Sequence, residues 1–196
     1  VGRKILFVTT DQQRFDSLGC NGNIFCRTPV VDSLARGGIN FQRAYNQNTV
    51  CMPARSTMLT GQYVRTHGVF ANGVPLPEDA PSVAQYLQDK AGYKTALIGK
   101  AHFEPAFDMK GKWRENRRQM EDDHGPWRGF DYAIHAVHVA SFGGRPVGHY
   151  GRWLRAQHPD YFEQTAPLLN ASPGGETGAP ETANNPIPRG CYTPIR

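Results

Sequence analysis

The sequence predicts an α/β protein with a largely parallel sheet flanked by helices. Two short apolar, partly β-branched runs, residues 4–10 (KILFVTT) and 94–98 (KTALI), have the length and composition of buried parallel strands. Helix start and stop signals lie between and around them, so strand and helix alternate along the chain as they do in parallel α/β folds.

Taken in order, residues 4–10 predict the first strand, and Asp11 stands at its C-terminal edge, where open α/β sheets build their sites. Thr28-Pro29 opens a helix that runs to about Arg36 and is closed by Gly37-Gly38. Residues 41–45 suit a second extended piece leading to a turn at Cys51. In the helix that follows, Pro53 suits the first position, because its missing N–H would have gone unpaired there. Cys51 would then sit just ahead of the helix N-terminus, where free N–H groups and the macrodipole favour an anion. Arg55, four residues on, can reach back over the same end. Ser82-Val83-Ala84-Gln85 is a capping-box pattern, Leu87 and Ala91 continue its apolar stripe, and Gly92 ends the helix.

Residues 94–98 predict another buried strand, followed at once by Gly99-Lys100-Ala101-His102. Two apart in extended backbone, Lys100 and His102 would project to the same side. Beyond residue 104 the regularity fades. Residues 105–130 are charged and aromatic without a clean period, residues 151–157 suit a short amphipathic helix, and residues 170–196 turn to Pro, Gly, Asn, Ala and Thr. The expected organisation is therefore a compact part over 1–155 and a loop or linker over 156–196 that leads to a remainder.

Bulk properties exclude several classes. With 196 residues, 39% hydrophobic and 20% charged, the chain is long enough to bury a core and far from the disordered regime. The net charge of +5 is modest and spread out. The densest basic stretch, residues 110–118, also holds Glu115 and Trp113 and reads as a solvated surface segment rather than a nucleic-acid footprint. No apolar run is long enough for a membrane span. No signal-peptide core precedes residue 4, so a cytoplasmic protein is the expectation; a processed periplasmic or secreted form is compatible with the same sequence. The four cysteines form no metal-ligand spacing and are too few to staple the chain, so Cys20, Cys26 and Cys191 read as structural thiols.

The spacing Cys51-x-Pro53-x-Arg55, extended by Leu59-Thr60-Gly61, resembles the signature of the type I sulfatases. These belong to the alkaline phosphatase superfamily and convert that cysteine to formylglycine. Ala54 stands where many sulfatases carry serine. The run Asp11-Gln12-Gln13-Arg14-Phe15-Asp16 onward to Gly22 is similar to the N-terminal segment of the same family, and Gly99-Lys100-Ala101-His102 to its G-K-x-H segment. The resemblance covers roughly residues 3–155 and is strongest over 4–103. It implies an alkaline-phosphatase-like fold, incomplete in this chain, whose further metal ligands and leaving-group lysine would come from the remainder.

Several expectations follow from this resemblance. Asp11, Gln12 and the modified Cys51 would hold a divalent cation; calcium is the family expectation, and magnesium or manganese suits the same oxygen ligands. Two aspartates usually occupy the first two positions, so Gln12 removes one negative charge. Arg55 and Lys100 would stabilise spreading negative charge on a sulfate ester, and His102 would hold or deprotonate the formylglycine diol. In the implied cycle one hydroxyl attacks sulfur and expels the alcohol; deprotonation of the other then expels sulfate and regenerates the aldehyde. A small-molecule sulfate ester, a formylglycine-generating enzyme during maturation and the C-terminal remainder of the protein are the implied partners, and homo-oligomerisation is compatible with them.

Two other readings stand beside the sulfatase. Related phosphonate monoester hydrolases present a substrate-contacting asparagine where Asn72 lies, and Gln12 also occurs in choline-sulfatase-like and phosphonate-hydrolase-like branches. Asn72-Gly73 is equally a common tight-turn pair. A non-catalytic anion-binding fragment is the third. His67 is expected to make a structural hydrogen bond. Asp123-His124-Gly125 imitates a metal-binding segment but comes too early in the chain for the catalytic cation. His135 and His138 have metal-compatible spacing, yet strand-like neighbours and no acidic residue nearby favour a structural role.

Overall fold

The computed structural model describes residues 2–106, 110–136 and 148–163. The described residues up to 45 and those from 46 onward fall into two compact units. In the first, residues 15–17 and 19–21 are short 3-10 turns, and α1 spans Pro29–Gly37. Asp32 accepts a hydrogen bond from the Cys20 N–H at 2.7 Å, and Thr28 Oγ1 accepts one from the Gly19 N–H at 2.8 Å, tying the turns to the start of α1. Pro29 opens this helix and the Gly37-Gly38 pair closes it, as the sequence predicts.

Residues 4–10 depart from expectation. They carry no regular secondary structure and belong to no ladder among the described residues, and Ile5, Leu6, Phe7 and Val8 are all exposed, Leu6 at 89%. A strand is defined by its neighbour, and no described segment supplies one. Residues 41–45 are likewise not a strand, because a turn at Gln42 and Arg43 interrupts them. Cys20 is half-buried and Cys26 exposed, so the second is not a core thiol. Cys191 lies outside the described residues.

The second unit carries α2 (Cys51–Thr60), the short α3 (Val64–His67), α4 (Val83–Ala91), β1 (Ala96–Gly99), α5 (Arg114–Glu121), β2 (Tyr132–His135) and α6 (Gly148–Gln157). β1 and β2 pair in parallel, with Ala96 opposite Tyr132 and Gly99 opposite His135. A two-stranded sheet covers little, so the expected buried character of β1 is only half met: Ile98 is 75% exposed, while β2 buries Ala133 and His135 completely. At α4, Ser82 Oγ accepts from the Ala84 N–H at 3.2 Å and Gly92 adopts φ 64° at the C-terminus. The returning arm of a capping box is absent there, because the Gln85 side chain bonds Asp89 at 2.9 Å instead.

The core joins Met52 and Leu59 of α2 to Val69, Leu76, Ala101, Phe103 and Trp127. It therefore backs both the Cys51 helix and the loop after β1. α5 was not legible as a helix, and the reading of residues 110–118 as a solvated surface segment is corrected. Glu115, Arg118 and Gln119 are all buried on one face of α5. Arg118 is tolerated inside because Asp123 Oδ2 lies 2.6 Å from Nη1, the Pro126 carbonyl accepts from the same nitrogen and the Gly125 carbonyl accepts from Nη2. At the far end, α6 takes in residues 156–157 and residues 159–163 are helical, where a linker was expected to begin; residues 164–196 lie outside the described residues. Among the described residues no helix is long and apolar enough to cross a membrane.

Candidate active site

Cys51 is the first residue of α2, with Val50 as N-cap, and Pro53 is the third. Both stand one or two positions further into the helix than the sequence suggests. Proline is still tolerated there, because first-turn N–H groups have no intrahelical acceptor. The helix end also offers fewer free donors than expected. Asn72 Oδ1 accepts the Met52 N–H at 3.0 Å, Asn48 Oδ1 accepts the Val50 N–H at 2.8 Å, and Pro53 has none to give. The Asn72-Gly73 pair does form a tight turn, with Gly73 at φ 92°. Asn72 is thus both a turn residue and a cap on the Cys51 helix, and its carbonyl oxygen is already committed.

The loop after β1 brings the cations. Lys100 Nζ donates to Cys51 Sγ at 3.4 Å, and Arg55 Nη1 donates to the Lys100 carbonyl oxygen at 2.5 Å. Three of the predicted residues, 49 positions apart at most, therefore meet at one helix end. His102 sits in the same loop, but not as an extended-backbone argument predicts. Its φ is 56°, in the left-handed region, and the residue is only 3% exposed. The two-residue period that would aim it with Lys100 does not describe this backbone.

The Sulfatase family model matches residues 3–142. The chain belongs to the sulfatase family. It is 40% identical over 101 residues to an ulvan-active sulfatase of Formosa agariphila, covering 52% of this chain and 20% of that protein. It is 37% identical over 109 residues to an arylsulfatase of Clostridium perfringens, covering 55% and 22%. Human steryl-sulfatase is 38% identical over 109 residues, covering 50% and 18%. This sulfatase chain thus spans about a fifth of the length of these curated relatives. Among solved structures, the yidJ protein of Bacteroides fragilis superposes with a TM-score of 0.55 at 28% identity, covering 72% of this chain and 33% of that one. The α/β fold with parallel strands is the fragment of the sulfatase fold that such a match requires.

Asp11 and Gln12 lie in the first unit and Cys51 in the second. Both are exposed, adjacent, and offer a carboxylate and an amide carbonyl, with Gln12 at φ 56°. That all-oxygen donor pair fits a hard divalent cation.

His67 behaves as expected. Its Nδ1 accepts the Val69 N–H at 3.1 Å, which leaves Nε2–H to donate to Thr57 Oγ1 at 3.0 Å, locking α3 to α2. The two sets of histidines that look unrelated in sequence are brought together: Asp122, His124 and His149 converge, and His135 stacks beside His149. An acidic residue does stand near these rings after all. Their hydrogen bonds nevertheless argue against a metal. His149 Nδ1 accepts the His135 N–H at 3.0 Å, so its proton is on Nε2, which donates to the Arg118 carbonyl at 3.1 Å. No lone pair remains on that ring, and Asp122 Oδ1 already accepts from Arg152 at 2.8 Å. The cluster is a hydrogen-bonded hub joining α5, β2 and α6. Burial first, then the charge of neighbouring side chains, holds His135 down to about 3 and His149 down to about 4. His138 lies outside the described residues.

Proposed function

We propose that this chain is the nucleophile-bearing part of a sulfuric ester hydrolase of arylsulfatase type, with formylglycine derived from Cys51 and a divalent cation. The observation that carries the reading is the contact between Lys100 Nζ and Cys51 Sγ at 3.4 Å, with Arg55 fastened to the Lys100 carbonyl. Sγ marks the place from which the oxygens of a formylglycine hydrate would project, so the Lys100 ammonium faces both the nucleophile and any anion bound in front of it. Arg55 adds a second permanent positive charge at the same helix end, where the macrodipole also favours an anion. His102, in the same loop, is the group proposed to take or hold a proton of the hydrate.

Asp11 and Gln12 would hold the cation, with calcium expected and magnesium or manganese suited to the same oxygens. When bound, such a cation would supply Lewis-acid polarisation of the oxygens it meets. A small-molecule sulfate ester is the proposed substrate, and a formylglycine-generating enzyme the proposed maturation partner.

The phosphonate or phosphodiester alternative draws on Gln12 and Asn72, but the carbonyl oxygen of Asn72 is used in capping Met52. Two measurements on the active whole protein test the proposal. Mass analysis of the Cys51 peptide should show formylglycine, and intact cysteine in an active preparation would remove the proposed nucleophile. Matched aryl sulfate and aryl phosphonate esters should be turned over with sulfate preferred; the reverse order would favour the phosphonate reading.

A further inference from the structure

We propose that Glu115 of α5 is a positioning residue for the Lys100 and His102 loop, an inference that rests on the sulfatase reading above. Its carboxylate accepts three consecutive backbone N–H groups: Oε1 takes that of His102 at 2.8 Å, and Oε2 takes those of Phe103 at 2.9 Å and Glu104 at 3.2 Å. Successive N–H groups that converge next to a left-handed residue form an anion-binding concavity, and here the anion is a side chain of the same protein. His102 is that left-handed residue, at φ 56°. A non-glycine residue keeps such a backbone only where its surroundings over-determine it. Glu115 supplies that determination.

The arrangement is reciprocal. Glu104 Oε2 accepts the Glu115 N–H at 2.6 Å, so the loop caps the start of α5 while α5 holds the loop. Glu104 is fixed in turn by Arg128, whose Nη2 lies 3.1 Å from Oε1, with both side chains almost fully buried. The rest of the loop is pinned on other sides: the Gly99 carbonyl accepts the Ala136 N–H at 2.9 Å, the Lys100 carbonyl accepts from Arg55, and the Phe103 carbonyl accepts the Leu76 N–H at 2.8 Å. Glu115 accepts from residues 102, 103 and 104 together. Burial, with the facing Glu104 as a further cause, pushes its carboxyl up to about 7, and the three N–H groups oppose that shift. A buried carboxylate is costly unless hydrogen-bonded, and at this position the hydrogen bonds are spent on the shape of one loop.

The test is Glu115→Gln in the whole protein that carries this chain. The isosteric amide turns an NH2 group toward backbone N–H donors. Amide hydrogen exchange at residues 102–104 should quicken at least tenfold. With an aryl sulfate, kcat should fall roughly ten- to a hundredfold, more than KM rises, as expected when a catalytic group is misplaced by about an ångström. Formylglycine content, checked by mass, should be unchanged. Leu154→Ala in α6 is the stability control and should keep its kcat at a matched loss of melting temperature. A Glu115→Gln enzyme with loosened amides but kcat within twofold of the wild type overturns the proposal, as does an equal loss of kcat in the Leu154→Ala control. If Glu115→Gln does not fold, Arg128→Lys gives a milder version, and unchanged kcat and exchange there overturn it too. A wild-type protein without sulfatase turnover overturns the functional reading instead, while the exchange comparison still reports on the clamp.

Discussion

Residues 4–12 and residues 94–102 begin alike and end differently. Each is a short apolar run followed by residues suited to binding or catalysis, Asp11 and Gln12 in one and Lys100 and His102 in the other. The second run contains β1, paired in parallel with β2, and its loop is fixed by Arg55, Glu115 and the Leu76 N–H. The first carries no ladder among the described residues, and its apolar side chains from Ile5 to Val8 stand exposed. A strand is a property of two segments, so equal local patterns give unequal structures when only one finds a partner among the described segments. The difference teaches that the exactness of a site is set by what grips its loop, not by the run that leads into it.

The largest expected effect is on chemistry in the gripped loop. Lys100→Ala should lower kcat/KM for an aryl sulfate by about two to three orders of magnitude, the usual range for removing one preorganised charge-stabilising donor. Steady-state kinetics check this, and a loss below tenfold would remove Lys100 from the proposed machinery.

Stability should separate the two regions next. A charge at Ala133, fully buried opposite Leu97, is expected to destabilise the chain by more than about 3 kcal/mol, because it would be taken out of water. The same charge at Leu6 should change stability by under about 0.5 kcal/mol. Denaturant unfolding of Ala133→Asp and Leu6→Asp makes the comparison directly, and a similar loss in both would show that residues 4–10 are gripped after all.

The histidine hub behind β2 should give an acid-sensitive limb. His135 and His149 are held at about 3 and about 4, well below the usual imidazole value. The unfolded chain therefore takes up protons near pH 6.5 that the folded chain refuses, so their contribution is fully present above that pH and is lost as pH falls toward 4 and 3. Glu115, raised to about 7, acts oppositely, favouring the folded state below about 4.5 and losing that contribution as pH rises through 7. His135→Phe preserves the ring that stacks edge-on to Trp127 and should flatten the acid limb in melting temperatures recorded from pH 7.5 to 4. An unchanged limb would assign the acid loss to other groups.

The smallest effect is expected at the cap of the Cys51 helix. Asn72→Ala should cost about 1 kcal/mol of stability by releasing the Met52 N–H, and Asn72→Asp should recover most of it. A change in KM without a change in stability would instead favour substrate contact.

Much of the local structure was legible. Thr28-Pro29, Ser82 and Gly92 marked helix ends that formed where expected, because caps and left-handed glycines act over a single turn. Cys51, Arg55, Lys100 and His102 were singled out as candidates through spacing and family resemblance. Glu115, Glu104 and Arg128 were not. Their stretch has no amphipathic period in apolar residues, since α5 buries charged side chains that are satisfied only by partners elsewhere in the chain. The sole local hint was an acidic residue inside a basic run. The histidine hub was missed for the same reason: its members looked like two separate false leads until the pairing of β2 with residue 124 placed them together.

By itself, the order of residues determined which groups are available: a cysteine at a helix start, an arginine one turn on, a lysine and a histidine after an apolar run, and a carboxylate–amide pair after another. These are properties of composition and of contacts within a few residues. Only the tertiary structure decided that Lys100 meets Cys51, that His102 adopts a left-handed backbone, and that Glu115 is buried to hold it there. Such contacts join segments up to 49 residues apart, and their geometry depends on burial and hydrogen-bond partners that no local window contains.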